Sequence, residues 1–415
     1  MLNLHDAKQE AFDPACLHDF DAVVVGAGFA GAVVARELAE RGRRKVAIIE
    51  RRATVGGNAY DEYDQAGVLV HRYGPHIFHS KDEEVFVYLS RFTDWLDYQH
   101  RVLADIYGKY TEVPFNLNSI EQHFSPSEAR AIRDKLIDTF GEGTKVPIIE
   151  LREQKDALLE KLADFVYKNV FLFYTQKQWG LTPEQLDPSV TGRVPVLVGR
   201  DDRYFTDPYQ GMPALGYTKL FERLLDHAGI EVFTNLDARD LIQLQNGAGE
   251  LELARELTQA KPFQALCFAG RPYRGQIVFT GALDSLCNTI FGLLPYRSLQ
   301  FECETHQQKH LLPCGTVNYT VSQDYTRITE YTYMTGQDLD VTTIMKEYSL
   351  PFTDPASQIP YYAVISDANQ AHYQKYLDLF ASLDNFHVLG RLAEYRYFNM
   401  DEIVRRALDL SSQLL

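Results

Sequence analysis

Residues 22–35 read AVVVGAGFAGAVVA. The β-branched run 22–25 has strand length and ends directly at Gly26. Phe29 to Arg41 then reads as a helix, and Lys45 to Ile49 as a second strand. That order is a βαβ unit. Inside it Gly26, Gly28 and Gly31 form G-x-G-x-x-G, which supplies a tight turn, a close backbone approach to a pyrophosphate and close helix-to-strand packing. Phe29 opens the helix, whose free amides face the phosphates. Glu50 lies 19 residues beyond Gly31, at the end of the second strand. A carboxylate there accepts hydrogen bonds from both ribose hydroxyls and disfavours a 2′-phosphate. The plain alternative is a packed strand-helix turn with no ligand, and NAD and FAD are both open on this motif alone.

The next stretch, 50–58, reads ERRATVGGN and puts the diglycine Gly56-Gly57 just past the second strand, flanked by Arg51 and Asn58. It resembles the extended dinucleotide motif of the glutathione-reductase-type flavoproteins, in which these glycines pass close to FAD. FAD is therefore favoured over NAD. No second complete G-x-G-x-x-G follows, so no separate NAD(P)H domain of the usual kind is visible.

The chain has 415 residues, which implies two or three domains at roughly 150 residues each. Apolar residues make up 45% and charged residues 24%, an ordinary globular composition. Lys and Arg number 41 against 57 Asp and Glu, a net charge of −16 that repels nucleic acid and anionic lipid. An anionic substrate must then be held by local arginines. Five cysteines without a C-x-x-C pair argue against a disulfide framework and a zinc site, and point to a reducing, cytoplasmic compartment. Residues 1–20 lack the continuous apolar stretch of a signal peptide, and the run 22–35 is shorter than the roughly 18 residues of a membrane span.

Downstream, 71–79 reads HRYGPHIFH before a helix expected near Ser80 or Lys81. The spacing of His76 and His79, with no carboxylate nearby in sequence, speaks against a metal. Hydrogen-bonded packing and flavin contact both fit. Val102 to Val113 reads as a hairpin turning at Gly108-Lys109 and ended by Pro114. From 119 to 189 the texture is helical: Ser125-Pro126-Ser127-Glu128 is a capping box, Gly141 ends that helix, and Thr182-Pro183-Glu184-Gln185 repeats the device. Leu158, Leu162, Phe165, Val166 and Val170 mark an amphipathic helix, and core packing is the default for Phe173. Residues 297–303, 315–321 and 325–334 read as strands of an antiparallel sheet. Their tyrosines, Tyr319, Tyr325, Tyr331 and Tyr333, with Tyr361 and Tyr362 beyond, suit a wet cleft or a sheet rim. Near the end, Gly390 follows a short apolar run and opens onto a helix near Met400 or Asp401, a device that could return the chain to the cofactor domain.

Several separated segments resemble, in family order, the UDP-galactopyranose mutases of bacterial type. They are GAGFAGAVVA, ERRATVGGNAYD, YGPHIFHS, VPFNLNS, YTQKQWG, RVPV with DDRYF and YQGMPALGYTKL, YTRITE, PYYAV and GRLAEYRYFNMDE. The likeness runs from about Asp21 to the C-terminus, and YTQKQWG with GRLAEYRYFNMD discriminates far better than the glycine motif. Asn399 departs from the acid of the family's closing motif, and residues 1–20 have no counterpart.

The resemblance implies an isomerase in which N5 of reduced FAD attacks the anomeric carbon of UDP-galactopyranose, UDP departs, and the sugar recloses as the furanose. No metal or nucleic acid takes part; the partners are the two UDP-sugars and, by family habit, a second copy in a homodimer. The product would feed galactofuranose into cell-wall polysaccharide. Arg193 and Arg297 would clamp the diphosphate as forked donors, Arg193 on a mobile lid. Tyr174, Tyr325 and one or both of Tyr361 and Tyr362 would contact phosphate, and Trp179 the galactose. Phe171, Thr175, Gln178, Tyr204 and Phe205 would build the uridine side. Gly390, Arg391 and Met400 would approach the flavin, as would His76 or His79.

The implied architecture is α/β, a Rossmann-like FAD-binding domain with an inserted helical bundle and an antiparallel sheet domain. The FAD domain comprises 20–80, 210–285 and 365–415; the bundle 81–100 and 119–190; the sheet domain 101–118, 191–209 and 290–363. Two rivals share the opening: a flavin-dependent amine or polyene oxidoreductase, and a non-catalytic binding protein such as the GDP dissociation inhibitors.

Overall fold

The computed structural model of the chain describes residues 2–8, 12–183 and 195–415. Its first half-unit is the expected one. Ala22–Val25 and Val46–Ile49 pair in parallel across the helix Phe29–Glu40. Six parallel strands follow the order Leu4–Asp6, Ile230–Thr234, Val46–Ile49, Ala22–Val25, Gln276–Phe279, Phe386–Val388. Both faces of this sheet are covered, which is why its two central strands, Ala22–Val25 and Val46–Ile49, are apolar at every position rather than alternating. Val24 and Ile48 point into a core with the helices Phe29–Glu40, Tyr217–Leu225 and Met400–Leu414. Val23, Ala47 and Ile49 point into a second core with Asp367–Asp378 and a four-stranded antiparallel sheet built from residues 243–272. The C-terminal segment does return to the nucleotide-type sheet, as Gly390 suggested. The N-terminal extension also joins it, Leu4–Asp6 pairing with Ile230–Thr234 at its edge.

A seven-stranded sheet runs in the order Tyr362–Ala363, Tyr296–His306, Thr342–Pro351, Arg327–Glu330, Thr316–Tyr319, Val102–Ile106, Lys109–Val113. It departs from the expected antiparallel sheet at one pair, because Thr316–Tyr319 lies parallel to Val102–Ile106. The segment expected as a strand over 325–334 is divided: Arg327–Glu330 is strand, and Tyr331–Thr335 turns into a helix that buries Tyr331, Thr332 and Met334. The hairpin turns at Tyr107-Gly108, not Gly108-Lys109, with φ of 52° and 83°. Two positive φ values match the right-handed twist of the flanking strands.

Helices Leu117–His123, Pro126–Phe140, Ile148–Glu153 and Ala157–Val166 share a third core with Val102, Ala104, Ile106 and Val113 of the hairpin. The capping box at Ser125 and Glu128, with Pro126 in the first turn and Gly141 at the end, is present. A π-helical stretch, Tyr167–Leu172, carries Ala157–Val166 on into Phe173–Trp179. The buried stripe is Leu159, Leu162, Ala163, Val166 and Val170, with Leu158 and Phe165 flanking it, and Phe173 is exposed rather than core. The cap expected at Thr182 runs into Glu184 and Gln185, which lie outside the described residues.

The helix expected near Ser80 begins at Glu83, capped by Asp82, because Phe78–Ser80 is a strand paired with Tyr209–Pro213. Val85, Tyr88 and Leu89 of that helix pack in the first core, so this part of 81–100 does not join the bundle. Among the described residues no helix is long and apolar enough to cross a membrane.

Candidate functional site

The glycine loop is a cradle defined by what a side chain would strike. A Cβ on Gly31 would lie 2.0 Å from the Gly26 carbonyl oxygen and 2.9 Å from Val24 Cγ1, so the helix can approach the strand only with glycine there. At Gly28 the nearest atom to such a Cβ is Gly57 Cα at 3.6 Å, and the rest of the space is open. The diglycine closes this side: the Gly56 N–H donates to the Ala27 carbonyl at 2.9 Å. Gly28 caps Phe29–Glu40 without a side chain, leaving first-turn amides for an anion. Glu50 is buried, and its two oxygens accept the Ala27 and Arg52 N–H groups at 2.9 Å each. Held in this way, each oxygen keeps a lone pair for a ribose hydroxyl. A dinucleotide with a free 2′-hydroxyl fits these amide donors and this carboxylate acceptor.

A cavity of about 440 Å³ lies between the segments that flank this cradle, the helical part and the seven-stranded sheet. On the cradle side it is lined by Asn58, His76, Arg391 and Met400. The Nδ1–H of His76 donates to the Gly74 carbonyl at 2.8 Å, and its backbone N–H donates to His71 Nδ1 at 3.0 Å. Burial pushes both histidines down to about 3, so they are neutral at physiological pH. The Arg391 guanidinium lies over the Tyr397 ring, 4.7 Å from its centroid. Asn399 faces the cavity and caps the last helix in a capping box with Glu402, a task the amide performs as well as an acid.

The opposite end is aromatic and polar. Phe171, Tyr174, Thr175, Gln178 and Trp179 come from one continuous helical run, Tyr204 and Phe205 from the segment before Tyr209–Pro213, and Tyr361 and Tyr362 from the sheet edge. Between these lies Arg327. Its Nη2 donates to the Tyr174 hydroxyl at 2.5 Å, and its Nε stands 3.2 Å from Glu347 Oε1. Burial opposes the charge on Arg327, and Glu347 with the surrounding phenols more than restores it, so its pKa stands above the ordinary arginine value. Burial pushes the Tyr362 phenol up to about 12, keeping it a donor. Several buried polar atoms of this lining have no hydrogen-bond partner among the described residues: Gln178 Oε1, Thr316 Oγ1, Asn318 Oδ1 and Arg327 Nε. Unsatisfied groups at these depths are costly unless a ligand or water meets them.

The family model for UDP-galactopyranose mutase matches residues 169–397, more than half of the chain, and one for an NAD(P)-binding Rossmann-like domain matches 24–92. The chain belongs to the UDP-galactopyranose mutase family. It is 36% identical to a probable UDP-galactopyranose mutase of Klebsiella pneumoniae, over 95% of this chain and 94% of that one. It is also 34% identical to a dTDP-fucopyranose mutase of Escherichia coli, over 93% and 96%. The fold is similar to that of a reduced UDP-galactopyranose mutase crystal structure, with a TM-score of 0.65 at 15% identity, covering 95% of this chain and 93% of that one.

For a UDP-galactopyranose mutase family member, the arginine positions are informative. Arg193 lies outside the described residues. Arg297 does not line the cavity: its Nε donates to the Gln178 carbonyl at 2.9 Å, and its Nη2 to the Lys177 carbonyl at 3.0 Å and Ser349 Oγ at 3.2 Å. These bonds tie down the C-terminal end of Phe173–Trp179, where a cation also meets the negative end of the helix. Arg297→Ala should therefore act through stability. We expect a loss of about 1–3 kcal/mol, read as a lower melting temperature, with UDP still bound.

Tyr325 is likewise turned away, its ring packed on Tyr319 and Tyr348. Tyr319 and Tyr331 are buried in cores rather than set in a cleft. Phe29 packs against Phe221 at 4.6 Å, so only its backbone remains for a cofactor, and Arg51 is exposed and off the cavity. Sequence reading missed Arg327 and Glu347, and with them His100, Thr316, Asn318 and Tyr397. The available signal was in YTRITE: Arg327 and Thr329 alternate with buried Ile328, so one face of this strand is polar inside the protein.

Proposed function

We propose that this chain interconverts UDP-galactopyranose and UDP-galactofuranose, with FAD held by Gly26, Gly28, Gly31, Gly56, Gly57 and Glu50. The observation that carries this reading is the placement of Arg327, Tyr174 and Glu347 on the wall of a cavity that also opens to the glycine-loop side. When bound and reduced, the flavin would supply the nucleophile that displaces UDP and would be regained as the sugar recloses.

The chain's own residues supply the rest. Arg327 pairs with the diphosphate and stays charged as leaving-group charge grows, and Arg193 would be its second donor. Tyr174 and Tyr362 hold phenolic protons toward the same oxygens. Trp179 packs against Tyr362 with the rings tilted by 50° and their centroids 5.9 Å apart, and offers an apolar face to the sugar. Phe205 and Tyr204 give the base a stacking wall. His76, kept neutral, offers the flavin side a hydrogen-bonding edge without adding charge.

We further infer a relation to the glutathione-reductase-like flavoproteins, a homodimer, a cytoplasmic setting, and supply of galactofuranose to a cell-surface polymer. An amine or polyene oxidoreductase would have little use for a charged Arg327 at its substrate wall. Purified enzyme should be yellow. Dithionite-reduced enzyme incubated anaerobically with UDP-galactofuranose should yield UDP-galactopyranose by chromatography, and the oxidised enzyme should be slower by at least an order of magnitude. Equal rates in the two states would remove the flavin from the reaction. Fucose analogues on dTDP serve as the competing substrates.

A further inference from the structure

His79 and Asp207 meet at 2.7 Å, Nδ1 to Oδ2, across 128 residues of chain. Two short strands bring them together. Phe78–Ser80 pairs antiparallel with Tyr209–Pro213, Gln210 standing opposite His79, so the turn ahead of the second strand delivers Asp207. Gln210 secures that turn by donating from Nε2 to the Asp207 carbonyl at 3.1 Å. The imidazole stacks on Phe205 at 3.6 Å and 13° between planes, and His79 and Phe205 both line the cavity. The side chains of His79 and Asp207 are each 15% exposed, so the contact is shielded from bulk water. Sequence reading found no carboxylate for this histidine because its partner is remote in the chain.

The chemistry of the pair fixes a hydrogen. An ionised carboxylate has no proton to donate, so at 2.7 Å Nδ1 must carry the hydrogen and donate it. In the neutral ring the other nitrogen, Nε2, is then an acceptor. Among the described residues no hydrogen bond to Nε2 is made. The neighbouring His100, pushed down to about 3 first by burial and then by the Arg327 charge, is neutral and adds no charge there.

We propose that Asp207 is a positioning residue: by holding the hydrogen on Nδ1 of His79 it presents Nε2 to the cavity as an acceptor for a donor group of the nucleoside. The Phe205 stack restricts that donor to a group at the edge of a base or ribose lying along the aromatic wall, a uracil N3–H or a ribose hydroxyl. This assignment rests on the nucleotide-sugar function proposed above. It adds a residue that touches no ligand itself.

Asp207→Asn tests it, because an amide can present N–H to Nδ1 and drive the ring hydrogen to Nε2, turning the acceptor into a donor. The same exchange inverts the histidine tautomer in serine-protease triads. In holoenzyme at mildly alkaline pH the variant should bind UDP about tenfold more weakly, with flavin absorbance unchanged. The imidazole nitrogen resonances of His79 should exchange their protonated and unprotonated signatures. In a His79→Ala background, Asp207→Asn should cost nothing further. Titrations with 2′-deoxy-UDP and N3-methyl-UDP separate the donors: the analogue lacking the right one should bind both enzymes equally. Equal UDP affinity in wild type and Asp207→Asn, or the same loss with and without His79, would overturn the proposal. Wild-type holoenzyme that takes up no UDP would instead overturn the function, while the tautomer exchange would still report on the pair.

Discussion

Arg327→Lys should fold, retain FAD, and turn over UDP-galactofuranose about two to three orders of magnitude more slowly than the wild type when both are assayed reduced. The lysine keeps a positive charge beside Glu347, which is 3% exposed and would otherwise be a buried carboxylate without a cation. It gives up the planar fork that reaches Tyr174 and can meet a phosphate with two donors. Arg327→Ala is the harsher change: about 3–5 kcal/mol of folding stability should go with the lost partner of Glu347, so its inactivity alone would not separate the roles. The informative comparison is with Arg297, whose donors are spent on the Lys177 and Gln178 carbonyls. Loss of turnover at Arg327→Lys in a folded, yellow protein, against a stability change without loss of UDP binding at Arg297→Ala, is the expected pattern. Near-normal kcat/KM in Arg327→Lys would remove the clamp from this residue.

The second large effect separates folding from cofactor binding at two glycines of one motif. Gly31→Ala should yield little folded protein, because its methyl would stand 2.0 Å from a backbone carbonyl oxygen that cannot move without breaking the strand-helix turn. Overpacking of that kind costs about 3 kcal/mol or more. Gly28→Ala should fold with near-normal circular dichroism, since its φ of −82° suits any residue and its methyl meets only Gly57 Cα, at an ordinary 3.6 Å. Its methyl instead occupies the open space over the loop, where a pyrophosphate would approach. Purified Gly28→Ala should therefore be pale, with flavin content well below stoichiometric. A fully flavinylated Gly28→Ala would place the cofactor elsewhere.

Much of the frame could be read directly because its signals are local. The run 22–25, the glycines that follow, Glu50 and the capping box at Ser125 each specify a shape through neighbours a few residues away. The structure therefore matches them closely. The misreadings share a cause as well. The hairpin turn slipped by one residue because Gly108 fits either position of a two-residue turn, and only the pairing of Ile106 with Lys109 fixes which. The stretch 325–334 has the composition of a strand throughout. Packing of Tyr331 and Met334 into the first core turns its second half into a helix. The helix expected near Ser80 starts late because Phe78–Ser80 is claimed by a strand far along the chain.

The site divides along the same line. Residue types and their spacing were enough to point to a dinucleotide cradle, an aromatic-rich helical run through Trp179, and a C-terminal segment that could return to the first sheet, since each is written in contiguous sequence. Tertiary structure alone set Arg327 on the cavity wall and Arg297 off it, gave Arg327 its Tyr174 and Glu347, and joined His79 to Asp207. These contacts cross 153, 20 and 128 residues of chain. They depend on strand register and on the face to which each side chain is turned, and a shift of one residue in either would exchange the wall of the cavity for the core behind it.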